Sequence, residues 1–281
     1  MEEKRLNDII TTLESKWLDI LFRECSRQFS AVHLPSHDQW HHLRVWQHAK
    51  KLIVAALSND ILLSESDIEQ TMIGVFFHDQ GMCETMAKEH GAVSRRMCSD
   101  FFITHPSPHY KPGEILLQAI GQHDQKDYAS TSPLNTFELQ KFLNIADDMD
   151  AFGNTGVYRY LEIYLLRQIP LVSLPEMILT NLESRYRYLY QSFAGLELFI
   201  TKQSFRYEKS RLFFTELQHQ IMNLADLEME RQGPLGVVNI IRNDIIGKRK
   251  QPDMVNLIIQ PDIRGSYTDT FFQLLREEYR N

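Results

Sequence analysis

A histidine and an aspartate stand next to each other at the end of an apolar run, at His78-Asp79. Further histidines and aspartates gather in one earlier and one later segment. These residues are His37, Asp38, His41, His42, Asp147, Asp148 and Asp150. Imidazoles and carboxylates among apolar residues are costly to bury without a partner, and a divalent cation is a partner that both accept. The order His, His-Asp, Asp therefore predicts a metal site and indicates hydrolysis of a phosphorylated substrate.

The predicted ligands combine imidazoles with carboxylates. They are His41, His78, Asp79 and Asp147. Because the set contains no thiolate, we expect one divalent ion drawn from Mn, Fe, Co, Ni, Zn and Mg, and a second ion is the less favoured alternative. Such an ion lowers the pKa of a bound water and polarises phosphorus, so that hydroxide becomes available near neutral pH.

Simpler explanations compete for each residue taken alone. A single histidine is more often a surface or hydrogen-bonded core residue, and the acidic segment at 147–150 is by itself typical of a solvated helix end. Trp17 and Trp46 are expected to pack in a core rather than to stack on bases. These explanations do not fit His78-Asp79, because a carboxylate at a helix C-terminus faces the negative end of the helix dipole. A bound cation would remove that cost.

Helices are expected around these residues, since apolar side chains recur at steps of three and four. We predict helices at about 4–29, from 38, from 64–67 to 79, at 89–104, at 112–123 and at 136–149. Asp38 is expected to cap the second helix, and Gly81, Gly153 and Gly156 to end helices. Polar and turn-forming residues predict a loop at 124–135 that overhangs the site.

The C-terminal half contains few candidate catalytic residues. Helices are predicted at about 158–168, 175–199 and 205–231, whereas β-branched clusters within 235–263 predict short strands or irregular extended chain. The aromatic residues after Val157 are compatible with a homodimer through a helix-on-helix contact and equally with internal packing.

Composition limits the classes of function. The chain has 281 residues, is 43% hydrophobic and carries a formal net charge of -7, which argues against clamping a nucleic-acid backbone. Only 12 glycines and 10 prolines favour long helices. Three cysteines without a Cys-x-x-Cys pair fit a reducing cytoplasm. The acidic start lacks the apolar segment of a signal peptide, so we expect a cytoplasmic protein that neither inserts into a membrane nor forms a stable nucleic-acid complex.

Five segments follow one another between residues 35 and 165. They are HDQWHHLRV at 37–45, GVFFHD at 74–79, HGAVS at 90–94, AIGQH at 119–123 and ADDMDAFGNTGVYR at 146–159. In this order they resemble the motifs HDxxHxxRV, AxLxHD, HxxxS, AIxxH and ADxLDAxGxxGxxR of one branch of the HD phosphohydrolase superfamily. Each motif is short, and their shared order makes the resemblance specific.

The resemblance implies an all-α HD-domain helical bundle, with a phosphohydrolase core at residues 1–170 and a helical C-terminal extension at 171–281 packed on that core. It places the metal ligands at His41, His78, Asp79 and Asp147. His41 is preferred over His42 because the ligand of the family stands three residues before an arginine, here Arg44.

The activity implied is that of a metal-dependent phosphohydrolase. It would cleave a phosphoester or phosphoanhydride of a nucleotide or similar small substrate with metal-activated water. The expected catalytic residues are Asp79, His78 and Arg44, and the expected substrate-binding residues are His90, His123, Lys126, Arg159 and Asp150. His90 and His123 fall where some relatives recruit a second metal or contact phosphate, and Arg44, Lys126 and Arg159 are the candidates for neutralising phosphate.

Departures from the family pattern leave the reaction open. Gln80 and Met149 replace an isoleucine and a leucine, and neither residues 84–89 nor the chain after about 175 has a counterpart. Two other functions therefore remain as alternatives. One is a non-catalytic nucleotide-binding sensor with a structural metal site, and the other is an oxygenase that needs two metals, with ligands from His90 and His123.

Overall fold

The computed structural model describes residues 2–105, 108–126, 128, 133–223, 232–246 and 267–280. Every element of regular structure in these ranges is a helix, which confirms the all-α prediction. The chain forms two compact units, one of Met1–Met149 with Gln191–Leu196 and the other of Asp150–Tyr190 with Glu197–Asn281. The predicted boundary at 170 falls inside the second unit, and the assignment of a phosphohydrolase core to residues 1–170 stays a prediction.

The first unit contains the N-terminal helices. They are α1 (Glu2–Phe29), α2 (Gln39–Leu57), α3 (Glu65–Phe77), α4 (His90–Thr104), α5 (Glu114–Gly121) and α6 (Leu139–Asp150), with 3₁₀ turns at Pro35–His37 and Gln80–Cys83. Helix α1 packs on α2 and α3. Each fully buried indole has a hydrogen-bond partner, since Trp17 donates to Glu69 and Trp46 donates to Glu14. Both tryptophans are therefore core residues.

Side-chain caps set the starts of the two helices that lead into the site. Asp38 accepts a hydrogen bond from the backbone N–H of Trp40 at 2.9 Å, as predicted for the start of α2. Ser64 and Asp67 form a reciprocal capping box at the start of α3. Helix α3 ends at Phe77, so that His78 is its C-terminal cap and Gly81 lies in the following 3₁₀ turn.

The second unit contains the later helices. They are α7 (Gly153–Leu166), α8 (Leu174–Ser192), α9 (Glu197–Asn223), α10 (Gly233–Ile240), a π-helical turn at Ile241–Ile245 and α11 (Tyr267–Arg280). Its core combines aliphatic and aromatic side chains, and beside it the rings of Tyr186 and Tyr207 stack with centroids 4.1 Å apart. No helix in the described part of the chain is both long and apolar enough to cross a membrane.

Two predictions about helix breaks are wrong. The helix predicted at 175–199 is interrupted after Ser192, where Gly195 adopts a positive φ of 102° before α9 begins. Gly156 does not end a helix but lies inside α7, where a side chain is excluded because a Cβ would collide with the carbonyl oxygen of Ala151. Gly153 does lie at the break between α6 and α7, with a φ of 79°.

The prediction of strands or irregular chain at 235–263 is wrong for its first part. Val237, Val238 and Ile241 are buried in α10 and the π-helical turn, so packing of the apolar side chains outweighs their β-propensity. Residues 247–263 of that prediction lie outside the described residues. The same holds for 224–231 of the third C-terminal helix and for 127 and 129–132 of the predicted loop.

Candidate metal centre

The four predicted metal ligands come together in the first unit. His41 lies in the first turn of α2, His78 and Asp79 directly follow α3, and Asp147 lies in the last turn of α6. All four are buried, and one donor atom from each lies within 4.8 Å of every other. Side chains from three distant segments thus share one small volume.

The distances between these donor atoms suit a single cation. Nε2 of His41 lies 3.3 Å from Nε2 of His78 and 3.5 Å from Oδ2 of Asp79, and Nε2 of His78 lies 3.3 Å from the same oxygen. Oδ1 of Asp147 lies 3.7 and 3.8 Å from the two imidazole nitrogens. Ligands about 2.1 Å from an ion are separated by about 3.0 Å at octahedral right angles and about 3.4 Å in a tetrahedron. The cluster can therefore hold a metal ion.

Backbone carbonyl groups orient the histidines. Nδ1 of His78 lies 2.7 Å from the carbonyl oxygen of Val75. His90 and His123 repeat this arrangement with the carbonyl groups of Ala87 at 2.7 Å and Ile120 at 2.8 Å. Since a carbonyl oxygen only accepts, Nδ1 is the nitrogen that carries the proton, and Nε2 of the neutral ring is left with a lone pair for a cation.

Asp79 connects this cluster to a second group of histidines. Its Oδ2 faces His41 and His78, whereas its Oδ1 lies 2.8 Å from Nε2 of His123 and 3.4 Å from Nε2 of His90. The two latter nitrogens are 3.3 Å apart. Asp79, His90 and His123 therefore form a second set of buried donors that could hold an ion, with the Asp79 carboxylate shared between the two sets.

Two glycines hold the segments of the site close together. A Cβ at Gly81 would collide with the carbonyl oxygen of His90, and the N–H of Gly81 donates to Ser94 Oγ at 2.8 Å. A Cβ at Gly91 would lie 2.7 Å from the carbonyl oxygen of Gly121. The turn after His78-Asp79 thus packs directly on the start of α4, and α4 packs directly on the end of α5.

These closely packed imidazoles and carboxylates shift one another's pKa values. Burial by itself would raise the pKa of Asp79, but His78, His123 and His41 hold it well below its usual range. Burial by itself would lower the pKa of His78, but Asp79 and Asp147 raise it to about 10. The pKa of His90 is raised to about 9, because hydrogen bonding and charge from Asp79 outweigh its burial. Protons thus compete with any cation for these imidazoles.

The acidic end of α6 is not solvated. Asp147, Asp148 and Asp150 are all buried, which contradicts the simpler explanation for this segment. The Lys126 Nζ donates to Asp147 Oδ2 at 3.0 Å and to Asp148 Oδ1 at 2.6 Å. Lys126, predicted to bind substrate, therefore lies beside the predicted ligands and contacts two carboxylates.

The remaining predicted residues lie in two places. Arg44 is buried on α2, one helical turn after His41. Asp150 and Arg159 belong to the second unit, where they are buried and form an ion pair at 3.5 Å. The structure thus brings seven predicted residues into one neighbourhood, namely His41, His78, Asp79, His90, His123, Lys126 and Asp147.

Sequence reasoning assigned no role to His37, which contacts this neighbourhood. Its Nε2 lies 3.9 Å from Asp79 Oδ2, and its Nδ1 lies 2.6 Å from Ser36 Oγ. Its position at the start of the histidine-rich segment is the sequence feature that could have indicated this contact. The contact between Ser94 and Gly81 was also missed, because nothing in their local sequence indicates that the two residues meet.

Comparisons of the chain with protein-family models, with curated proteins and with solved structures found no match.

Proposed function

We propose that this protein is a metal-dependent phosphohydrolase that cleaves a phosphoester or phosphoanhydride of a nucleotide or similar small substrate. The observation that carries the proposal is the buried cluster of His41, His78, Asp79 and Asp147, whose donor atoms lie within 4.8 Å of one another. A divalent cation would give these buried imidazoles and carboxylates one shared partner of positive charge. The resemblance of the sequence segments to HD phosphohydrolase motifs supports the same assignment.

The cluster would hold the ion through the Nε2 atoms of His41 and His78 and one oxygen each of Asp79 and Asp147. When bound, a divalent ion at this position supplies a water of lowered pKa and polarises a phosphoryl group.

Side chains of the protein would accept the proton of the water and offset the charge of the phosphate. Asp79 has both oxygens directed at imidazole nitrogens, so it is placed to orient a water and to accept its proton. His123, 2.8 Å from Asp79 Oδ1, can share that proton. Arg44, buried one turn beyond His41, is proposed to offset the charge of the phosphate.

The second group of donors keeps a different function open. Asp79, His90 and His123 form a second set of donors close enough to hold an ion, and a two-metal oxygenase would need its second metal there. Metal stoichiometry and oxygen consumption discriminate between the two functions. Hydrolysis without oxygen uptake supports the phosphohydrolase, and oxygen uptake with two bound ions per chain supports the oxygenase.

The test is hydrolysis of a panel of nucleoside mono-, di-, tri- and cyclic phosphates in the presence of each candidate metal. We expect turnover of at least one substrate and a loss of about 100-fold or more in Asp79→Ala. Asp100→Ala, which removes an exposed carboxylate of the same unit, is the matched control and should keep the wild-type rate. Equal turnover by Asp79→Ala would exclude the site. Tight nucleotide binding without turnover would favour the sensor.

A further inference from the structure

Lys126 is a buried cation that lies between two buried carboxylates. Its side chain is 5% exposed, and its Nζ lies 3.0 Å from Asp147 Oδ2, 2.6 Å from Asp148 Oδ1 and 3.4 Å from the carbonyl oxygen of Asn144. Exposed lysine pairs contribute little, but a buried ammonium that donates to several oxygens at these distances has a defined position. Lys126 is therefore fixed against the end of α6.

The two oxygens of Asp147 have different partners. Oδ1 faces the Nε2 atoms of His41 at 3.7 Å and His78 at 3.8 Å, whereas Oδ2 accepts from Lys126. A carboxylate without such a partner can rotate and bind an ion through either oxygen or both. The contact with Lys126 leaves only Oδ1 directed at the cluster, so it selects one oxygen for the cation.

Asp148 holds the other side of the lysine. Its side chain is 1% exposed, and each of its oxygens also lies 3.3 Å from the hydroxyl of Tyr128. Asp148 is not one of the predicted ligands, and its carboxylate is oriented by Lys126 and Tyr128. Asp148 thus holds Lys126 in place, and Lys126 in turn holds Asp147, so that the donor oxygen of Asp147 has a defined position.

The charges are consistent with this arrangement. Asp79, Asp147 and Asp148 bring three negative charges into a buried region. A divalent cation and Lys126 together bring three positive charges. These cations thus balance the three carboxylates, and buried charges are tolerated when opposite charges pair in this way.

We propose that Lys126 is a positioning residue that holds Asp147 as a single-oxygen metal ligand, with Asp148 as its anchor. This inference rests on the metal centre of the proposed function. It gives Lys126 a role different from the phosphate binding predicted from the sequence.

The test is the dissociation constant of Mn²⁺ for the full chain, measured by isothermal titration calorimetry. Lys126→Met should weaken Mn²⁺ binding about tenfold, the size of effect that loss of an outer partner of a ligand has. Lys126→Arg should recover most of the affinity, because it keeps a charged donor. Lys16→Met, which removes a lysine paired with Glu69 in the same unit, is the control and should bind as the wild type does.

A dissociation constant of Lys126→Met within twofold of the wild type would overturn the inference. Tighter binding would overturn it too, because it would mean that the charge of Lys126 only repels the cation. If Lys126→Met fails to fold by circular dichroism, Lys126→Gln replaces it under the same criteria.

A spectroscopic measurement separates positioning from general packing. The visible absorption of bound Co²⁺ depends on the number and geometry of its ligands, so it should change in Lys126→Met and return in Lys126→Arg.

Asp148→Asn should also weaken Mn²⁺ binding. The double variant of Asp148 and Lys126 should lose less affinity than the two single losses combined. Additive losses would contradict the role of Asp148 as anchor. If Mn²⁺ binding depends on Lys126 but no substrate is hydrolysed, the proposed function is contradicted and the role of Lys126 is not.

Discussion

Nε2 of His41 and Nε2 of His78 lie 3.3 Å apart, although 37 positions separate the two residues in the chain. Such a contact needs either a proton on one of the two nitrogens or a cation between them, because two facing lone pairs, or two facing N–H groups, would repel each other. One cation between the two nitrogens resolves the conflict. The pair is thus a geometric reason to expect that the folded chain binds a divalent ion more tightly than the unfolded chain does.

Binding of Mn²⁺ should therefore stabilise the protein. At a free Mn²⁺ concentration of 100 times the dissociation constant, the gain is about 2.7 kcal/mol, or a rise in Tm of about 5 °C or more for a chain of this size. Thermal denaturation with Mn²⁺ and with EDTA measures the shift. His41→Ala should lose the shift, whereas the exposed His109→Ala should keep it. An equal shift in His41→Ala would place the bound ion elsewhere.

Metal affinity should rise with pH across the neutral range. The pKa of His78 is raised to about 10, so its ring holds a proton at pH 7 that a cation at the cluster must displace, and the pKa of His90, raised to about 9, adds a second such proton for an ion that His90 itself binds. Each displaced proton makes the affinity change about tenfold per pH unit. Calorimetry at pH 6.5, 7.5 and 8.5, in buffers of different ionisation enthalpy, measures both the affinity and the protons released. A dissociation constant that does not change with pH would contradict this expectation.

The same pKa shifts act in the opposite direction on the stability of the metal-free protein. A histidine whose pKa is higher in the folded than in the unfolded state stabilises the fold fully below about pH 6.5. That contribution of His78 and His90 is lost as the pH rises toward their folded values of about 10 and 9. Urea denaturation in EDTA should therefore show stability decreasing over this interval, and Mn²⁺ should remove part of the decrease.

Local sequence signals were sufficient where structure depends on near neighbours. Asp38 and Ser64 begin helices because their side chains accept from N–H groups two or three residues away, and such caps are visible in a sequence. Helix α2 is buried over most of its surface, with His41 among the buried residues. The place of His41 in the cluster was predicted from its residue type and from its spacing to Arg44 in the family motif.

Contacts between distant segments were not visible in the same way. Gly156 resembles a helix stop, but it lies within α7, and the approach of the Ala151 carbonyl explains why this position has no side chain. The contact of Lys126 with Asp147 joins residues 21 positions apart, and no periodicity indicates it. The cluster at Val237 and Val238 is helical because the second unit buries it, which overrides the propensity of β-branched residues.

Gly81→Ala should disrupt the site from a position that carries no ligand. An added Cβ would collide with the backbone of His90, which cannot move aside by rotating a side chain. We expect a loss of about 3 kcal/mol or more in the free energy of unfolding, measured with urea, and weaker Mn²⁺ binding. Gly113→Ala is the control, since nothing lies within 4 Å of its Cβ position. Unchanged stability of Gly81→Ala would mean that the turn after Asp79 is not packed on α4.

His123→Ala separates the holding of an ion from the handling of a proton. His123 contributes no atom to the cluster of His41, His78, Asp79 and Asp147 but contacts the ligand Asp79, so Mn²⁺ binding at that cluster should weaken about tenfold, as for loss of any outer partner of a ligand. Hydrolysis should fall by about 100-fold, because Asp79 Oδ1 loses the nitrogen that lies 2.8 Å away and can share its proton. Calorimetry and steady-state rates at saturating Mn²⁺ measure the two effects separately. A parallel loss of binding and rate would instead make His123 part of a single, jointly held metal site, and an unchanged rate would remove it from the proton path.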